Sequence, residues 1–339
     1  MRKPSFWWRE RGNAALALAP LAAAYGAVAQ ARLSRRGRDV AVPVICIGNL
    51  TVGGAGKTPT ALATAQMLKV AGELPMFLTR GYGGSLAGPI AVDPSGHRAS
   101  QVGDEPLLLA NTAPTTVARD RVAGANFSIA RGATVIVMDD GFQNPALRKD
   151  LSILVVDGRR AIGNGHVIPA GPLRAPLEAQ LRRAQVLVLV GAAPRAEALI
   201  VEARKRGIAV FRAQLRPDRA FVAALGRGRV LAFAGIGDPE KFFATLADAG
   251  IAVASTRAFP DHHRYTQEEA RALCQEADRE GHVLVTTEKD LARLRGDDAV
   301  NELAAQAHAL PVTLALDEEE QLRSLLLDTI SQARSKKRK

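Results

Sequence analysis

The sequence predicts an α/β fold: a P-loop-containing, mostly parallel sheet with helices on both faces, plus a second, smaller α/β domain and an N-terminal membrane-associating helix. Three observations carry that reading. From position 42 onward, short apolar runs alternate with helical stretches, the βαβ pattern of a parallel sheet covered on both sides. The first run, 42–47 (Val-Pro-Val-Ile-Cys-Ile), feeds a glycine-rich turn that closes on Lys57 and Thr58. Ahead of it lies an Ala-rich apolar stretch, 14–31, bounded by Trp7 and Trp8 on one side and by Arg32, Arg35, Arg36 and Arg38 on the other.

In chain order, 1–40 reads as the membrane-associating segment. Tryptophan is enriched at the water–lipid boundary, and flanking arginines pair with anionic headgroups. The stretch 14–31 is mostly Ala, carries Pro20 in its middle and lies near the lower length limit for crossing a bilayer. It therefore reads as a helix lying in, or dipping into, one leaflet. A plain core helix and a cleaved secretory signal compete with that reading. Arg2 and Lys3 precede the apolar run and Ala27-Val28-Ala29 resembles a cleavage site, but secretion would strand an ATP site where ATP is scarce.

The core domain is expected over 41–212, with strands at 42–47, 76–79, 115–118, 134–138, 151–156 and 186–190 and helical stretches such as 60–70, 106–110 and 121–131. Ligands bind at the carboxyl ends of such strands, so the residues just after each run carry the functional weight. The pattern lapses into an Arg-, Gly- and Pro-rich linker at 213–228. A second α/β domain follows over 229–330, with strands at 229–234 and 282–286 and a helix at 239–249. A basic tail, 331–339, closes the chain.

At 339 residues and 47% hydrophobic content the chain can bury a full core. With 4% aromatics, that core is built from Ala, Val, Leu and Ile. Cys46 and Cys274 lie far apart in apolar or helical stretches and read as buried thiols of a reducing compartment. The net charge of +11 is carried by the ends, +6 over 1–40 and +5 from Ser331 onward, which leaves the body neutral. A nucleic-acid partner is therefore not expected, since a binding body would need its own basic face. The charged ends suit attraction to an anionic membrane surface, or, for the tail, plain solvation.

The turn after the first strand reads as a phosphate-binding loop. Gly53, Gly54 and Gly56 permit positive φ, so that the backbone N–H groups from Gly53 through Ala55 to Thr58 turn inward on a nucleotide's phosphates at a helix N-terminus. Lys57 would reach the β and γ phosphates, and the Thr58 hydroxyl would ligate Mg²⁺. Pro59 falls in the first helical turn, where its missing N–H costs nothing. The usual pattern places a glycine where this chain has Thr51, so a simple glycine turn is the competing reading.

The run 134–138 leads straight into Asp139 and Asp140. Two acids at the end of a buried parallel strand are what a Walker B element supplies to hold Mg²⁺, with Asp139 expected to face the ion. The competing reading is a solvated turn. A second acidic pair, Asp104 and Glu105, follows Gly103. Asp104 could cap a helix containing Pro106, or accept the proton of an acceptor hydroxyl, and the residues alone leave these even. Further loop clusters are Thr79 to Gly84, Pro169 to Arg174 and Phe259 to His263. Arginine can fork onto a phosphate, and His262 beside Asp261 could assist a base.

The segments 48–59 (Gly-Asn-Leu-Thr-Val-Gly-Gly-Ala-Gly-Lys-Thr-Pro), 80–83 (Arg-Gly-Tyr-Gly), 102–106 (Val-Gly-Asp-Glu-Pro), 139–143 (Asp-Asp-Gly-Phe-Gln), 171–174 (Gly-Pro-Leu-Arg), 259–262 (Phe-Pro-Asp-His) and 287–290 (Thr-Glu-Lys-Asp) together resemble the tetraacyldisaccharide 4′-kinase family of the lipid A pathway. They stand in that family's order and span nearly all the chain. The resemblance implies an ATP- and Mg²⁺-dependent kinase at the cytoplasmic leaflet of the bacterial inner membrane. Its acceptor is the 4′-hydroxyl of a tetraacylated glucosamine disaccharide 1-phosphate, a glycolipid partner, and no protein partner is evident. It implies that Asp104 is the catalytic base, that His262 works with it, and that Arg174 and Tyr82 lie near substrate or nucleotide. It also accounts for Thr51, which the family's loop shares. One position departs: the family's histidine after the Asp-Asp-Gly-Phe-Gln run is Asn144 here, which can donate a hydrogen bond but cannot carry a proton charge. The alternative from another class is a membrane-docked P-loop ATPase switch with a protein partner, whose best-known loops carry a lysine where this chain has Val52.

Overall fold

The computed structural model describes residues 4–9, 12–226 and 228–337. Apolar runs bounded by Gly and Pro become thirteen strands: β1 Val44–Asn49, β2 Pro75–Thr79, β3 Ile90–Ala91, β4 Thr115–Val117, β5 Val135–Asp139, β6 Leu151–Asp157, β7 Val186–Val190, β8 Ala209–Pro217, β9 Val230–Ala234, β10 Val253–Ala258, β11 Val283–Thr287, β12 His308–Leu310 and β13 Val312–Leu316. They form a nine-stranded sheet, ordered β13-β8-β7-β6-β1-β5-β2-β4-β3, and a four-stranded sheet, ordered β10-β9-β11-β12. In the large sheet only the outer pairs, β13 with β8 and β3 with β4, are antiparallel. The small sheet is parallel throughout.

β1, β5, β6 and β7 are buried along their whole length, as central parallel strands covered on both faces must be. Apolar clusters fill both faces of the large sheet. Cys46, Met138, Leu154 and Leu187 point to one, and Ile45, Val137, Ile153 and Val188 point to the other. Both thiols, Cys46 and Cys274, are free and buried.

Three boundaries differ from the sequence expectation. The expected linker 213–228 is taken up by the end of β8 and by the helix Arg219–Leu225, because alternate side chains of β8, Phe211 and Ala213, pack into the large core. The second unit ends at β12: the chain then returns as β13 beside β8, and the helix Glu319–Lys337 buries Leu322, Leu326 and Ile330 against the large sheet. The basic tail, through Lys337, is the end of that helix; positions 338 and 339 lie outside the described residues. Arg334 forks onto Glu73 at 2.8 and 2.6 Å, and Lys337 pairs with Asp150 at 2.9 Å.

The N-terminal stretch forms the helix Ala19–Ser34, with Pro20 tolerated in its first turn. Ala22 and Gly26 are its buried residues, Gly26 resting against Pro176, whereas Leu21 and Val28 are each 62% exposed. Trp7, expected at a water–lipid boundary, is instead buried within the protein, and its indole N–H donates to the Pro169 carbonyl at 3.0 Å. No helix among the described residues is long and apolar enough to cross a membrane.

Candidate active site

β1 ends in Asn49, and its successors form the phosphate loop. Gly53 and Gly56 take positive φ, 124° and 96°, and Lys57 opens the helix Lys57–Val70. Gly54 does not adopt positive φ, contrary to expectation. A Cβ built on it would meet nothing within 4 Å, so its value lies in the open space above it. Thr51 needs no glycine conformation because it bridges Leu173 in extended pairing, and Arg174 donates to the Thr51 carbonyl at 3.3 Å. Asn49 reaches across the loop to the Gly53 carbonyl at 3.1 Å.

β5 lies beside β1 with Asp139 in register with Ile47, which puts the Asp-Asp pair next to the loop. The two carboxylates are treated oppositely. Asp139 is 1% exposed, and neither of its oxygens has a hydrogen-bond partner. Burial, reinforced by the charge of Glu105, pushes its pKa up to about 7. Asp140, at φ 51°, accepts from Arg174 at 2.9 and 3.4 Å and has Lys57 at 3.7 Å. Burial works against its charge, but Lys57 and Arg174 outweigh that and hold it below the usual carboxylate range. A buried, unpaired carboxylate in the cleft that Thr58 also lines fits a hard cation that prefers oxygen ligands. Among the described residues no group of three or more His, Cys, Asp or Glu side chains forms a metal cage.

Asp104 opens the helix Asp104–Ala110, and Gly103, at φ 94°, is the cap. The carboxylate, 4% exposed, therefore does not serve as that cap. Its Oδ2 accepts from Arg293 Nε at 2.7 Å and lies 3.5 Å from His262 Nδ1, and its Oδ1 accepts the Glu105 N–H at 3.0 Å. Burial opposes ionisation, but His262, Arg293 and Lys289 together hold Asp104 well below the usual range. The same hydrogen bond raises the His262 pKa against the effect of burial. Tyr82, 64% exposed, sets its ring 5.0 Å from that of His262.

A cleft of about 740 Å³ joins these parts. The phosphate loop, Asp139, Asp140, Asn144 and Arg174 line it from the large sheet, His262 and Lys289 from the small one, and Tyr25 and Val28 from the N-terminal helix. Asp104 lines a smaller adjoining cavity of about 250 Å³, while Tyr82, His262 and Arg293 line both. Asp104 thus lies behind His262 as seen from the cleft. The Asn144 side-chain oxygen accepts the Ala146 N–H at 2.8 Å, holding a local turn.

Sequence reasoning assigned no role to Arg293 and Lys289, which belong to the helix Glu288–Leu294. Lys289 pairs with Glu105 at 2.5 Å, and the charges of Glu105 and Asp104 keep it protonated despite burial. The available signal was the run Thr287 to Asp290 at a strand-to-helix junction, with Arg293 one turn beyond Asp290.

A sheet that sets a strand, glycine loop, Lys-Thr and helix beside a carboxylate-ended strand belongs to the P-loop class of phosphoryl-transfer proteins. The family profile described as tetraacyldisaccharide-1-P 4′-kinase matches residues 14–331, and the chain belongs to that family. Similar proteins include a tetraacyldisaccharide 4′-kinase from Rhodopseudomonas palustris, 53% identical over 99% of this chain and 98% of the relative. Another, from Bradyrhizobium diazoefficiens, is also 53% identical, over 99% of each chain. Among solved structures, the "apo" form of LpxK from Aquifex aeolicus in complex with ATP superposes with a TM-score of 0.71 at 28% identity, covering 93% of this chain and 99% of that one.

Proposed function

We infer that this chain transfers the γ-phosphate of ATP to the 4′-hydroxyl of a tetraacylated glucosamine disaccharide 1-phosphate, a step in making lipid A. The observation that carries this is that the phosphate loop and His262, from different units of the chain, line one cleft. Backbone amides of 53–58 and Lys57 hold the phosphates, which leaves positioning and electrostatics to do most of the catalysis. Mg²⁺, when bound with the nucleotide, neutralises charge on the phosphate oxygens, and Thr58 and Asp139 would hold it. Asp140 supports this set by pairing with Lys57 and Arg174, which line the same cleft.

Asp104 acts with His262 as the proton acceptor for the sugar hydroxyl. A carboxylate held strongly ionised is a weak base, but the transition state of phosphoryl transfer is loose, so the hydroxyl proton leaves late and a weak base suffices. Tyr82 and Asn144 flank the place of the acceptor sugar.

The exposed Leu21 and Val28, with Arg32 beside them, support docking of the N-terminal helix on the cytoplasmic leaflet of the bacterial inner membrane. Tyr25 and Val28 also line the cleft, so acyl chains can stay in the lipid while the headgroup enters. The test is transfer of label from γ-labelled ATP to purified tetraacyldisaccharide 1-phosphate. Labelled lipid is expected; label released only as inorganic phosphate would overturn the reading.

A further inference from the structure

The groups that orient Asp104 come almost entirely from the other sheet. Arg293 Nε donates to Asp104, while its Nη1 donates to Asp290 at 2.8 Å and to the Gly235 carbonyl at 2.9 Å. Asp290 is 0% exposed and is itself fixed by Tyr265 Oη at 2.8 Å, the Gly235 N–H at 2.9 Å and Thr287 Oγ1 at 2.6 Å. The Gly235 carbonyl also accepts the His262 N–H at 3.0 Å, so one peptide group sets both side chains that meet Asp104. A side chain at Gly235 would be tight: its Cβ would stand 3.0 Å from Asp290 Oδ1 and from His263 Cβ and 3.2 Å from Arg293 Nη1, so these neighbours would have to shift. Arg293 Nη2 has no hydrogen-bond partner among the described residues, and Arg293 lines both the cleft and the adjoining cavity.

We propose that Arg293, anchored on Asp290 and Gly235, is the positioning residue that holds the Asp104 carboxylate in place and aimed at His262, so that docking of the small sheet completes the acceptor site. The proposal rests on the kinase reading above. Asp104 is faced by Arg293 and Lys289 from the helix 288–294, by His262 with Asp261 from the loop after β10, and by Glu105 on its own helix. Behind Arg293 stand Asp290 and Tyr265. Of these, Arg293 makes the short, charge-assisted contact, which a flexible lysine ammonium reproduces only in part.

Kinetics of the full-length enzyme test this. Arg293→Met should lower kcat on the order of tenfold to a hundredfold, the loss of one buried charge-assisted bond, with the KM for ATP nearly unchanged. Because Asp104 would then lose a cationic neighbour, the acid limb of kcat/KM should move to higher pH. Arg293→Lys should recover part of the turnover. Unchanged kcat would overturn the proposal, as would lost kcat with an unmoved acid limb and no recovery by lysine, the pattern of a merely structural residue. If Arg293→Met does not fold, Asp290→Asn should displace the limb in the same direction, and a wild-type profile there would overturn it. Asp104→Asn separates the two readings. An active Asp104→Asn enzyme sinks the assignment of the base itself, whereas an inactive one beside a wild-type Arg293→Met sinks only the role of Arg293.

Discussion

Asp139 and Asp104 are both buried carboxylates, and their different partners lead to different expectations. Asp139 has none, so its ionised form is costly until a cation arrives. Asp139→Asn should raise the melting temperature of the nucleotide-free protein while abolishing the further stabilisation by ATP and Mg²⁺; a lowered melting temperature would contradict this. Asp104→Ala should cut kcat by about 10²- to 10⁴-fold, the range for a positioned acid or base, and leave ATP binding by calorimetry nearly unchanged. His262 has a folded-state pKa raised by its hydrogen bond to Asp104, so the native state holds its proton more firmly than the unfolded chain. Its contribution to stability is complete below the ordinary value of 6.5 and is lost as pH rises through the higher folded value. His262→Gln should therefore shrink the stability difference between about pH 6 and about pH 8 in urea unfolding. A difference equal to that of the wild type would exclude the pair as its source.

At the scale of elements, the helix Ala19–Ser34 has two unlike faces. Gly26 rests against Pro176 and Ala22 is buried, whereas Leu21 and Val28 are exposed, Val28 at the edge of the cleft. Replacing Leu21 and Val28 together with serine should weaken cosedimentation with anionic vesicles by more than about tenfold, given roughly 1.5–3 kcal/mol for each apolar side chain buried. Unaltered vesicle binding would show that the helix docks by another face. Trp7 illustrates how an element can be misread one residue at a time: a tryptophan near an apolar helix suggests a lipid anchor, but its indole N–H finds a carbonyl inside the protein.

For the whole molecule, the return of the chain after β12 ties the second unit to the first at both ends. Deleting residues 319–337 would uncover Leu322, Leu326 and Ile330, each worth about 1.5–3 kcal/mol when buried. That is a large part of the 5–15 kcal/mol typical of a folded protein, so the truncated chain should unfold at markedly lower urea, well below the effect of replacing Arg334 alone. The half-exposed Arg334 pair adds little by itself.

What could be read along the chain were features encoded locally. The glycines and Lys-Thr after an apolar strand, the acids that end β5, and the alternation of strand and helix each depend on neighbours a few residues apart. The return of the C-terminal helix did not show, because its charged residues look like a tail until Glu73 and Asp150 are brought under it. Nor did Arg293, which meets Asp104 across 189 positions of chain. The sequence alone indicated the glycine loop with its Lys-Thr, the acid-ended strand and the parallel sheet, since short-range sterics and hydrophobic period decide those. Only the tertiary structure decided which of two aspartates stays unpaired, and which distant cations hold Asp104 ionised, because burial and charge pairing are properties of packed surfaces.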